Sequence, residues 1–215
     1  MNKPRFKRPR TKTDLDTLEV GGLWKAISES KRIAESNQKI TLEVILQIHR
    51  VIFELADPEI AGRFRGYGED VKKLKYIEPL PGGPKIQELM YQFARDLDIR
   101  TASITLHPKA QTKTQKKKWV NQVLDLATWS QYQITYIHPF CNGNGRMARL
   151  MTNMILKRFG FHPSQVKMEG EDKPKYLAAL GQIDLYGDYE RLKLLIIKNV
   201  MENVRKEREL RSRKK

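Results

Sequence analysis

Between Tyr136 and Arg149 the chain reads Tyr-Ile-His-Pro-Phe-Cys-Asn-Gly-Asn-Gly-Arg-Met-Ala-Arg, and these residue types at this spacing are suited to handling phosphates. A loop of small residues that enters a helix presents unpaired backbone N–H groups and the positive end of the helix dipole, which together attract an anion. Gly143 and Gly145 have no Cβ to keep a phosphate away from that backbone. Arg146 and Arg149 are three residues apart, so both guanidinium forks can project from the first turn of the helix toward the same phosphates. His138 stands just before the loop, where a neutral imidazole can accept a proton from an incoming hydroxyl. Cys141 and His138 do not read as a nucleophile pair, because the sequence offers no third group to orient them.

These residues must be held by helices. Apolar residues recur at helical spacing over Leu15–Ser36, Thr41–Leu55, Lys85–Leu97, Trp119–Tyr136, Gly145–Phe159, Lys173–Asp184 and Asp188–Arg205, which predicts a mostly α domain. In the first helix Leu23, Trp24, Ile27 and Ile33 are expected to share the inward face, and Gly160 is expected just past the C-terminus of the fifth. The Gly- and Pro-rich segment Gly62–Gly83 reads as a loop carrying a small β-hairpin, with strands at Val71–Leu74 and Lys75–Glu78. Asp98–Lys117 lacks periodicity and reads as a surface insertion.

HPFCNGNGRMAR resembles the signature of Fic (Fido) domain proteins, HPFx(D/E)GNGRxxR, and matches eight of its nine specified positions. The likeness extends more loosely over about 41–198 and implies a Fic-type helical domain with a small β-hairpin flap. It implies a protein nucleotidyltransferase, an AMPylator that moves AMP from ATP to a Ser, Thr or Tyr hydroxyl of a target protein. On that resemblance His138 is the catalytic base, Gly143, Asn144 and Gly145 form the anion hole, and Arg146 and Arg149 hold the outer phosphates. Val71, Lys72, Lys73, Leu74, Lys75, Tyr76 and Ile77 correspond to the flap that pairs with an extended target segment. ATP is the implied co-substrate, with Mg²⁺ or Mn²⁺ as cofactor.

Two departures qualify the likeness. Asn142 occupies the place of the family's acidic Mg²⁺ ligand and offers only a neutral carbonyl oxygen. Three readings follow: an active enzyme with metal held chiefly by the nucleotide, a different donor or metal, or a catalytically degenerate nucleotide-binding regulator. The second departure concerns the family's inhibitory pattern (S/T)xxxE(G/N). Its nearest counterpart, Ser30–Asn37, places Glu35 one residue late, which turns the side chain by about 100° and predicts that Arg149 is free of an intramolecular clamp.

Composition bounds the rest. The 215 residues are enough for one core. The net charge of +16 is carried entirely by residues 1–12, 107–118 and 205–215, so the remainder of the chain is electrically neutral. This divides the chain into a basic arm at 1–14, a Fic-like domain at 15–204 and a basic tail at 205–215. Such blocks are expected as solvated ends, with contact to an acidic or nucleic-acid partner as the alternative. Trp24, Trp119 and Trp129 do not interleave with the basic blocks, so no stacking platform for single strands is indicated. A single cysteine excludes an internal disulfide and a Cys-based zinc site, and the absence of a long apolar run argues against a membrane span. A soluble, cytoplasmic protein is the resulting expectation.

Overall fold

The computed structural model describes residues 11–69, 71, 80–105, 112–164 and 170–213. Among these, seven helices and no strand occur: α1 (Lys12–Glu35), α2 (Leu42–Phe53), α3 (Pro84–Ala102), α4 (Lys113–Ile137), α5 (Asn144–Arg158), α6 (Asp172–Tyr186) and α7 (Glu190–Ser212). The predicted β-hairpin lies outside the described residues apart from Val71. None of the described helices is long and apolar enough to cross a membrane.

The motif sits at the turn of the α4–α5 hairpin, the most extensive helix pairing in the molecule. Val123, Ala127, Ile134 and Ile137 from α4 meet Met147, Met151, Met154 and Ile155 from α5 in a closed apolar seam. Within it, Thr152 donates its hydroxyl hydrogen to Gln131 Oε1 at 2.8 Å, a buried polar link that fixes the two helices in register. Helices α1 and α2 cover α5 and the loop, α3 lies on α4, and α6 and α7 close the far side. Gly160 follows α5 at φ 80°, as expected, and the Phe161 N–H bonds back to the Leu156 carbonyl at 2.8 Å.

Three local expectations are corrected. The Lys-rich stretch expected as an insertion is the first part of α4. Thr112 and Gln115 form a reciprocal capping box there, which satisfies the end N–H groups and lets the helix begin at Lys113. The basic tail expected at 205–215 continues α7 to Ser212, supported by the Arg211–Glu207 pair one turn apart.

The third correction is the inward face of α1. Trp24 is 66% exposed and Ile27 41%, whereas Gly22, Ala26, Ser30, Ile33 and Ala34 are buried. Small residues face inward because α1 approaches α2 so closely that a Cβ at Gly22 would lie 2.2 Å from the Ile52 carbonyl oxygen. Gly22→Ala is therefore expected to push α1 outward and destabilise the fold by about 1–3 kcal/mol, measurable as a lowered midpoint of thermal unfolding, whereas Gly21→Ala, with open space around its Cβ position, is expected not to.

Candidate functional site

His138 caps α4 in the left-handed conformation, at φ 50° and ψ 57°. This ends α4 and lets the chain turn into the loop. Its Nδ1 faces the Thr135 carbonyl at 3.4 Å, so the proton belongs on Nδ1 and the lone pair on Nε2 is left to accept. Burial lowers the His138 pKa, the Thr135 carbonyl partly offsets this, and the positive charge of Arg65 lowers it further. The neutral form, which a base requires, is thereby favoured.

Asn144 shapes the loop. Its side chain, almost wholly buried, accepts from the Phe140 N–H at 2.9 Å and donates to the Phe140 carbonyl at 2.7 Å. Both hydrogen-bonding groups of one peptide residue are thus satisfied by one amide. Phe140 itself is fully buried and stacks on His49 at 3.8 Å between centroids. Gly143 adopts φ 83°, and a Cβ there would strike Phe53 at 2.6 Å, so both backbone and space demand glycine.

The helix N-terminus that follows is where the sequence placed an anion hole of Gly143, Asn144 and Gly145. The Gly143 N–H donates to Asn142 Oδ1 at 2.7 Å, so it is already engaged, and the N–H groups of Asn144, Gly145 and Arg146 are the ones at the mouth of α5. Arg149 folds back over Gly145, with Nη1 3.4 Å from where a Cβ would stand. Burial lowers the pKa of Arg149, and it makes no ion pair with any described residue. The Tyr176 hydroxyl, buried and without a hydrogen-bond partner among the described residues, acts electrostatically on the same guanidinium.

Arg146 is engaged instead. Its Nη1 meets Glu19 Oε2 of α1 at 2.5 Å, its Nη2 donates to Asn142 Oδ1 at 3.3 Å, and its guanidinium lies 4.7 Å from the Phe53 ring centre. Sequence reasoning selected Glu35 and missed Glu19. Glu35 pairs with Lys157 at 3.1 Å, and Lys157 stands eight residues past Arg149, about 12 Å along the axis of α5. A usable signal for Glu19 was present, since it falls in line with Gly22, Ala26 and Ser30, the small-residue face that turned out to be buried.

Asn142 does not suit a divalent cation. Its Oδ1 is neutral, already accepts from the Gly143 N–H and from Arg146, and lies against a guanidinium. Among the described residues, no cluster of three or more His, Cys, Asp or Glu could hold a metal ion. Burial and neighbouring Glu69 raise the pKa of Cys141, which disfavours the thiolate that a nucleophile needs.

His49 packs directly beneath the loop. Its ring accepts from the Gly62 N–H at Nδ1, 3.0 Å, which makes Nε2 the donor to the Asn142 carbonyl, also 3.0 Å. Burial drives its pKa down to about 4.

A sequence model of the Fic/DOC family matches residues 39–156, more than half of the chain and the whole of the motif loop. The chain belongs to the Fic/DOC family. It is 31% identical over 178 residues to a protein adenylyltransferase Fic of Nematostella vectensis, an alignment covering 82% of this chain and 36% of that protein. A protein adenylyltransferase Fic of Drosophila melanogaster is 33% identical over 134 residues, covering 62% of this chain and 23% of that protein. The chain spans well under half the length of either curated relative. Fic-1 from C. elegans superposes with a TM-score of 0.68 at 23% identity, covering 100% of this chain and 56% of that one. BepC from Bartonella tribocorum, solved with bound AMPPNP, gives 0.57 at 17% identity over 92% and 94% of the two chains. At such identities the superpositions establish the Fic fold.

Two outcomes follow from this geometry. Glu19→Gln removes the carboxylate that holds Arg146, and if Arg146 is a phosphate ligand, ATP binding measured by calorimetry is expected to tighten about 5- to 10-fold; unchanged affinity would show that the ion pair does not compete. The folded His49 imidazole is depressed from 6.5 to about 4, so the unfolded chain binds more protons between those values. Stability is then expected to fall as pH drops through that window, by roughly 1.4 kcal/mol per pH unit. Thermal unfolding from pH 7 to 4 measures this, and His49→Gln should flatten the dependence.

Proposed function

We propose that this chain transfers the AMP moiety of ATP to a hydroxyl group of a target protein. The observation that carries the reading is the convergence of three parts: an imidazole whose Nδ1 faces a carbonyl, the open N-terminus of α5, and two motif arginines at its first turn. In this reading the N–H groups of Asn144 and Gly145 receive the inner phosphates, while Arg149 and, once parted from Glu19, Arg146 hold the outer ones. His138 Nε2 takes the proton from the target hydroxyl as its oxygen bonds to the α-phosphorus. The bond from that phosphorus to the β-phosphate oxygen breaks, and pyrophosphate leaves with the electron pair. Positioning and charge neutralisation supply most of the rate in such transfers.

The flap remains part of the proposal. The chain before and after Val71–Ile77 is drawn together: a Cβ at Gly82 would lie 1.9 Å from the Gly66 carbonyl oxygen, and the Gly83 N–H donates to the Arg65 carbonyl at 3.1 Å. The described ends of this segment, at Arg65–Gly66 and Leu80–Gly83, meet at the His138 turn, and in this reading the residues between them offer main-chain hydrogen bonds to an extended target. Residues 15–204 are read as the one catalytic unit.

The second reading, a nucleotide-binding regulator without transfer, is favoured by one observation. Asn142 lacks the charge of the family's acidic residue and occupies the Gly143 N–H. Transfer of label from α-labelled ATP into the protein and into a lysate separates the two. Label that His138→Ala reduces at least about 100-fold, with nucleotide binding retained, is the result expected of the enzyme. Its acid limb should lie below pH 6.5, because the imidazole is depressed. Activity that exists only in Asn142→Asp would instead establish the regulator.

A further inference from the structure

Arg65 presents an anomaly. It is 3% exposed, yet it forms no ion pair with any described residue. A buried guanidinium normally has a carboxylate, because burial alone disfavours its charge, and burial does lower the Arg65 pKa. What holds it is a set of main-chain carbonyls. Nε donates to the carbonyl of His138 at 2.7 Å, and Nη2 donates to the carbonyl of Leu80. Its own backbone joins the same node: the Arg65 N–H donates to the Pro139 carbonyl at 2.9 Å, and the Arg65 carbonyl accepts from the Gly83 N–H at 3.1 Å.

The two carbonyls have different owners. The His138 carbonyl belongs to a residue in the left-handed conformation, which a non-glycine residue keeps only when its surroundings hold it. The Leu80 carbonyl belongs to the chain leaving the segment that carries the proposed flap, and Arg65 itself lies on the chain that enters it. One planar fork therefore ties the turn bearing the base to both ends of that segment. A lysine has one charged nitrogen and no fork, so it cannot reproduce this geometry.

We propose that Arg65 is the positioning residue of the transfer reaction: it locks the main chain of His138 and registers the base against the two ends of the target-binding segment. The inference rests on the transferase reading above. Its charge has a second effect. Arg65 is the charged group that acts on His138, while Glu69 and Cys141 face Arg65 and act on it in turn. A cation at this node therefore favours the neutral imidazole.

The test compares Arg65→Met and Arg65→Lys with the intact chain. Imidazole titration by NMR, with the His138 signal assigned by His138→Gln, reads the effect on the base directly. ATP affinity by calorimetry and label transfer from α-labelled ATP read the effect on function. The His138 titration is expected to move to higher pH in Arg65→Met and to stay near its original position in Arg65→Lys. Transfer is expected to fall about 100-fold in Arg65→Met and by a smaller factor in Arg65→Lys, with ATP affinity unchanged within about twofold, since Arg65 holds carbonyls and not phosphates. A folded Arg65→Met protein with an unmoved His138 titration and full transfer overturns the proposal. Should Arg65→Met not fold, Arg65→Lys decides, because full transfer in that variant is equally fatal and slowed transfer at unaltered ATP affinity supports the role. If the intact chain transfers no label, the transferase reading fails, and the shift of the His138 titration still decides whether Arg65 governs the base.

Discussion

The amide of Asn144, closed on both the N–H and the carbonyl of Phe140, is the contact on which the site depends. The chain must reverse between two long, tightly packed helices and leave a helix N-terminus open at the bend. A buried peptide group in such a turn has no water to satisfy it, so its donor and acceptor must be met internally. Asn144 meets both from the first residue of α5, which couples the loop to the helix that carries the arginines. His138 and Gly143 can then occupy left-handed conformations at the two ends of the loop.

Around that clasp, charge is arranged against the ordinary tendency of buried groups to pair. Arg65 and Arg149 are both depressed by burial and lack carboxylate partners among the described residues, while Arg146 is held by Glu19 from a different helix. Like charges gathered at the positive end of a helix are unfavourable unless an anion is present, so in the proposed reading Arg146 and Arg149 at the start of α5 supply an affinity for phosphate. Asn142 fits the same scheme, since a neutral side chain on the Gly143 N–H leaves the positive field of the site undiminished.

Much of this was legible. The spacing of Leu42, Ile45, Leu46, His49, Ile52 and Phe53 specified α2, and the helical recurrence of apolar positions in 119–136 and 145–159 specified α4 and α5, because each helix buries one continuous stripe. Where the reading failed, local composition and long-range packing disagreed. The face of α1 was assigned by hydrophobicity to Trp24 and Ile27, but the closeness of α2 admits only Gly22, Ala26 and Ser30. The lysines after Thr112 looked like a solvated loop, yet a capping box is enough to start a helix whose exposed side they occupy.

The sequence by itself determined the chemistry on offer: a base, a glycine-containing helix entry and two forks, all within one contiguous stretch where covalent spacing sets the geometry. It determined as well that the acidic residue of the family is absent. Only the tertiary structure decided how that chemistry is held. Glu19 reaches Arg146 across 127 positions, His49 reaches Asn142 across 93, and Arg65 reaches His138 across 73. Contacts of that separation are set by how closely helices approach and how they are rotated, quantities that depend on the packing of the whole core and leave no periodic trace in the chain.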